Sequence, residues 1–154
     1  MIKALGEAMS VDSHSTLNLA TEQLEDAIRL HLNGRYASAA TLAGAAEEVF
    51  GKHCERLGQR SVMQEGFALE RCVGLMFPGQ AAAKPFQAYA DRENATRNRL
   101  KHLVKGAEWD FKADLAVDSA KMIVRGIENA RRIGLQVSGC EAFTDWFYEY
   151  IVGV

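Results

Sequence analysis

An all-α fold is the architecture this sequence predicts, and three observations carry it. Apolar residues recur at helical spacing through most of the chain, with no sustained period-two alternation. The 154 residues contain only two prolines, Pro78 and Pro85, so little interrupts a helix. Glycines at 34, 58, 106 and 134 stand where the periodic runs stop. Together these predict one domain over residues 1–154: a bundle of five main helices plus a short C-terminal aromatic helix.

A lead of residues 1–15 ends in the polar cluster Asp12-Ser13-His14-Ser15, suited to capping. A first helix is expected over 16–33, with Leu17, Ala20, Leu24, Ala27, Ile28 and His31 on its buried face. A second follows over 36–57. Its run Ala39, Ala40, Ala43, Gly44, Ala45, Ala46 leaves so little bulk that another backbone can approach closely. Ser61 and Gln64 have the spacing of a capping box opening a third helix over 61–76. Residues 80–84 read as a loop. A fourth helix is expected from Pro85 to Lys105, and a fifth from Asp110, as its cap, to Ile133. Ser138 and Glu141 form a second capping-box pattern before the aromatic helix over about 140–151, whose apolar character suits docking into the core or a dimer seam.

Composition excludes several classes. The net charge of −2 is that of no general polyanion binder, so any nucleic-acid contact needs a local basic patch. No stretch reaches the length of a membrane span, and residues 1–10 lack the apolar core of a secretory signal. Cys54, Cys72 and Cys140 are odd in number, far apart and outside any CxxC pair, which suits buried, inert thiols in a reducing compartment. A cytoplasmic protein is expected. His53-Cys54 beside Glu47 and Glu48 lacks the ligand spacing of structural zinc, so no metal or other cofactor is expected. Glu47 is expected to be an exposed helix carboxylate, the alternative being an auxiliary acid turned towards the motif at Arg97, and His31 a packed core histidine. His14 is expected in solvent.

The densest chemistry lies in Arg97-Asn98-Arg99-Leu100-Lys101-His102. On a regular fourth helix, with Arg97 at 0°, Lys101 falls at roughly 40°, Lys105 at 80°, Asn98 at 100° and His102 at 140°. Those groups form one polar arc, with Asn98 directly beneath His102. An arginine fork can hold a phosphate, and a histidine with an ordinary pKa near ~6.5 can move a proton at neutral pH. Arg97, Asn98 and His102 are therefore the candidate catalytic set, with Arg99, Lys101 and Lys105 as phosphate contacts. Asp114, Asp118 and Lys121 read as a solvated face of the fifth helix, and Arg125, Arg131 and Arg132 as an extension of a basic surface.

Arg-Asn-x3-His on a helix of a small all-α bundle resembles the HEPN superfamily, whose signature is Arg-x4–6-His with a polar residue after the arginine. Arg97, Asn98 and His102 occupy those positions. The resemblance implies a homodimer that brings two copies of the motif to a shared cleft. It also implies metal-independent RNA cleavage, an activity found among toxin and defence proteins of that superfamily, or else RNA binding alone. An antitoxin is one kind of partner it implies; a nucleotide-binding HEPN-like module paired with a separate nucleotidyltransferase is a further alternative. A non-catalytic helical adaptor, using the aromatic tail and the Ala-rich helix, is the alternative from another functional class.

Overall fold

The computed structural model describes residues 12–77, 85–102, 106 and 108–154. Among them every regular element is a helix: α1 (Thr16–Leu32), α2 (Tyr36–Arg56), α3 (Val62–Met76), α4 (Phe86–Glu93), α5 (Ala95–Lys101), α6 (Leu115–Arg132) and α7 (Cys140–Phe147). A π-helical turn over Tyr148–Val152 extends α7. None of the described helices is long and apolar enough to cross a membrane. The expected loop at 80–84 and the lead up to residue 11 lie outside the described residues.

Local chemistry sets most boundaries. Ser15 caps α1 by accepting the Asn18 N–H. The helix ends at Gly34, whose φ of +72° is the left-handed conformation that a residue with a Cβ resists. There the Gly34 N–H donates to the His31 carbonyl and the Arg35 N–H to that of Leu30, which satisfies two orphan acceptors. The same pair of bonds closes α2 after Arg56 and α6 after Arg132. The Ser61–Gln64 capping box forms in both directions, at 3.3 and 3.0 Å.

α1, α2 and α6 make the core. Ala20, Leu24, Ala27 and Ile28 of α1 meet Ala43, Ala46 and Phe50 of α2 and Ala120, Met122, Ile123 and Ala130 of α6, all buried. The alanines of α2 let both neighbours close on it. Asn129 of α6, fully buried, bonds the Val62 N–H through Oδ1 at 2.9 Å and the Glu47 carbonyl through Nδ2 at 3.4 Å. One side chain thus ties α6 to α2 and to the start of α3. Phe143 of α7 enters the core, while Tyr148, Tyr150 and Ile151 stay exposed. The aromatic tail is half docked.

Three boundaries depart from expectation. The helix expected over 85–105 breaks at Asn94 and stops at Lys101, so the bundle has more helices than the five main ones expected. Asp114, not Asp110, caps the last long helix by accepting the Val117 N–H at 3.1 Å. α7 starts at Cys140 with Gly139 at its N-cap and no side-chain cap, and the Ser138 N–H donates to Glu25 of α1 at 2.9 Å. Cys72 is exposed, unlike the buried thiol of Cys54.

Candidate functional site

α5 is short, and its position follows from three contacts made by α4 and α5. Thr96 Oγ1 donates to Asp118 of α6 at 2.6 Å. Arg97 Nη2 donates to Glu48 Oε2 of α2 at 2.5 Å. At the break, Asn94 Oδ1 accepts from Arg125 Nη2 of α6 at 2.6 Å. Asp118 is therefore half-buried and engaged, where a solvated face was expected.

Arg97 does not lie on a solvated arc. It is 9% exposed, and its side chain crosses α2 directly over Gly44. A Cβ added at Gly44 would stand 2.5 Å from Arg97 Cδ and 2.8 Å from Nε, so the missing side chain is what admits the arginine. Arg125, expected to add to a basic surface, is likewise buried. Its Nη2 stands 3.7 Å from Glu47 Oε2, and its Nε has no hydrogen-bond partner among the described residues.

Glu47 and Glu48, consecutive on α2, behave oppositely. Glu47 is 5% exposed rather than in solvent. Burial pushes its carboxyl above the usual range, against the pull of Arg125 and Arg97. Glu48 accepts from Lys52 at 2.8 Å and from Arg97, and those two hydrogen bonds hold its pKa down to about 2. Glu48 is thus ionised at neutral pH, with its charge shared between two cations, and it clamps one nitrogen of the Arg97 fork.

A cleft of about 460 Å³ opens in front of this cluster. Arg97, Asn98 and Lys101 of α5 line it, with Glu47, Glu48 and Lys52 of α2 across from them. Arg97 and Asn98 of the sequence motif share one cavity with the α2 carboxylates, about fifty positions away in the chain. Glu48 and Lys52 were missed as site residues. The available signal was a Glu-x3-Lys pair on an otherwise Ala- and Gly-rich helix, one turn beyond Gly44.

The other candidates scatter. His102 lies one residue past the end of α5, with φ −132° and ψ 131°, exposed, and is not among the residues lining the cleft. The i, i+4 stacking of Asn98 beneath His102 is therefore absent as a side-chain arrangement; only the His102 N–H reaches the Asn98 carbonyl, at 2.9 Å. Arg99 stands over the Phe111 ring at 5.5 Å instead of facing the cleft. Lys105 lies outside the described residues. Compared with known proteins, the chain matches no protein-family model, no curated protein and no solved structure, so the reading of this cleft rests on its own geometry.

Proposed function

We propose that this protein binds RNA in the α2–α5 cleft and cleaves it without a metal, through Arg97, Asn98 and His102, as the HEPN resemblance implies. The observation that supports this reading is the held arginine. Glu48 fixes one Nη of Arg97, and the rest of the fork makes no hydrogen bond to the described residues, with Glu47 acting on it through charge alone. A phosphate in the cleft would take those free donors, with Asn98 and Lys101 beside it. Arg97 then stabilises the added charge of the phosphorane, and His102 transfers the proton of the 2′-hydroxyl or of the leaving 5′-oxygen. Each chain carries one histidine of the motif, so a second copy would supply the other proton-transfer group in a shared cleft.

The competing reading is a non-catalytic helical binding protein. The position of His102, exposed and outside the lining of the cleft, favours it. One experiment separates the two: RNA cleavage by purified protein in EDTA, with His102→Ala and Arg97→Lys as comparisons. The nuclease reading expects cleavage ending in 2′,3′-cyclic phosphates and a loss of about 100-fold or more in His102→Ala. Undiminished activity in both variants would remove the motif from the chemistry. A folded wild type that cleaves no RNA leaves the binding protein.

A further inference from the structure

A second groove of about 390 Å³ is lined by Arg60, Gln64, Phe67, Ala68, Arg71 and Phe86. Phe86 lines both cavities, so the groove continues the cleft where RNA cleavage is proposed. Its composition differs from that of the cleft. The carboxylates nearest in sequence are engaged elsewhere: Glu65 pairs with Arg132, and Glu70 with Arg92 at 2.9 Å. Neither the Arg60 nor the Arg71 guanidinium has a carboxylate partner among the described residues, and both side chains are exposed.

The aromatic part is built rather than incidental. Phe67 and Phe86 meet edge to face, with centroids 5.3 Å apart and planes at 79°. Tyr89 packs against Phe67 from 5.6 Å, which fixes the pair from behind. Phe86 remains 40% exposed. The Arg71 guanidinium lies over the Phe67 ring, 5.8 Å from its centroid, a separation typical of cation–π contact. Flat rings next to two uncompensated arginines match the two faces of one nucleotide: a base that stacks and a phosphate that takes a planar fork. The volume lies in the range of small-ligand sites.

We infer that this groove is a nucleotide subsite for single-stranded RNA, one base lying against Phe86 and Phe67 and the adjoining phosphate held by Arg60 and Arg71. The inference rests on the RNA reading of the neighbouring cleft and extends it. A strand crossing Phe86 places one nucleotide here while its scissile phosphate lies at Arg97. Unpaired bases are required, because a base inside a duplex has no free face to offer a ring.

The test is fluorescence anisotropy with a labelled single-stranded RNA oligomer carrying 2′-O-methyl groups, which blocks cleavage. An abasic oligomer of the same length serves as the comparison. Arg60→Ala/Arg71→Ala should bind about tenfold or more weakly, with a logarithmic salt slope shallower by about 0.7, as expected when one phosphate contact to a single strand is lost. Phe86→Leu keeps apolar bulk but removes the flat face. It should lose about tenfold toward the RNA and nothing toward the abasic strand. Melting temperatures identify any variant that fails to fold, and Phe67→Leu then replaces Phe86→Leu. Wild-type affinity in both variants would overturn the subsite, while the cleft reading stands if His102→Ala still abolishes cleavage. A charge effect without a Phe86 effect would reduce the groove to a basic patch and overturn it as well, as would equal competition by an acidic peptide of matched charge. A wild type that binds no RNA at all would overturn both readings together.

Discussion

Gly44 shows how much of the site depends on an absent atom. In an ordinary helix interior, Gly→Ala stabilises by about 1 kcal/mol, because glycine loses more backbone freedom on folding. Here the added methyl would overlap the middle of the Arg97 side chain, whose far end Glu48 holds. Overpacking of this kind costs about 1–3 kcal/mol, so the second effect is expected to win. Gly44→Ala should lower the melting temperature and weaken the RNA cleavage proposed for Arg97. A rise in melting temperature would show that Arg97 swings away freely and is not held. The charge pattern of the sequence did not disclose this residue-scale arrangement. Placing Arg97 on a polar arc assumes that polar residues face water, whereas a carboxylate about fifty positions earlier gives the arginine a partner inside.

Elements were more legible than the contacts between them. α1, α2 and α3 agree with the sequence reading to within a residue or two, because their signals are local: a capping serine, a left-handed glycine, a reciprocal Ser61–Gln64 pair. The break at Asn94 was not legible. Asparagine has modest helix propensity and sits inside many helices; what marks it here is its bond to Arg125, 31 residues away. A helical wheel drawn through 85–105 carries one phase across that break, and it also presumes a helix beyond Lys101. Both assumptions fail, and with them the placement of His102 above Asn98. The same limit applied to α6. Asp110 and Asp114 are both acceptable caps, and only the backbone path chooses Asp114.

At the scale of the whole molecule, the tail is tied to the core through a histidine. His31 of α1 is 1% exposed and packs edge-on against Tyr36, Phe143 and Trp146, the last at 4.1 Å between centroids. The Ser119 hydroxyl donates to the Ala116 carbonyl, so His31 Nδ1 donates to Ser119 Oγ at 2.8 Å. Its Nε2, buried without a hydrogen-bond partner among the described residues, is then the unprotonated nitrogen. Burial lowers the His31 pKa to about 4. The unfolded chain, with its ordinary pKa near 6.5, therefore binds more protons between pH 6.5 and 4. The stability present above pH 6.5 falls through that window, by about 3 kcal/mol if the whole shift is expressed. Glu47, with its raised pKa, works in the opposite sense over the carboxylate range. The comparison that isolates His31 is thus wild type against His31→Gln. The wild type should lose melting temperature from pH 6.5 to 4.5 more steeply than the variant; parallel curves would place the acid sensitivity elsewhere.

The Asn129 brace has a consequence for motion. The first N–H groups of a helix ordinarily lack partners and give up their protons to solvent within the fraying of a single turn. That of Val62, at the start of α3, is instead held by a side chain at the centre of the molecule. Its deuterium uptake should track the detachment of α6 from α2, slow in native buffer and abruptly fast in Asn129→Ala, while the amides near the exposed end of α3 exchange alike in both. Rapid uptake at Val62 in the wild type would mean that the brace opens on its own. A single amide at the edge of the bundle would then report, hour by hour, on whether its centre is closed.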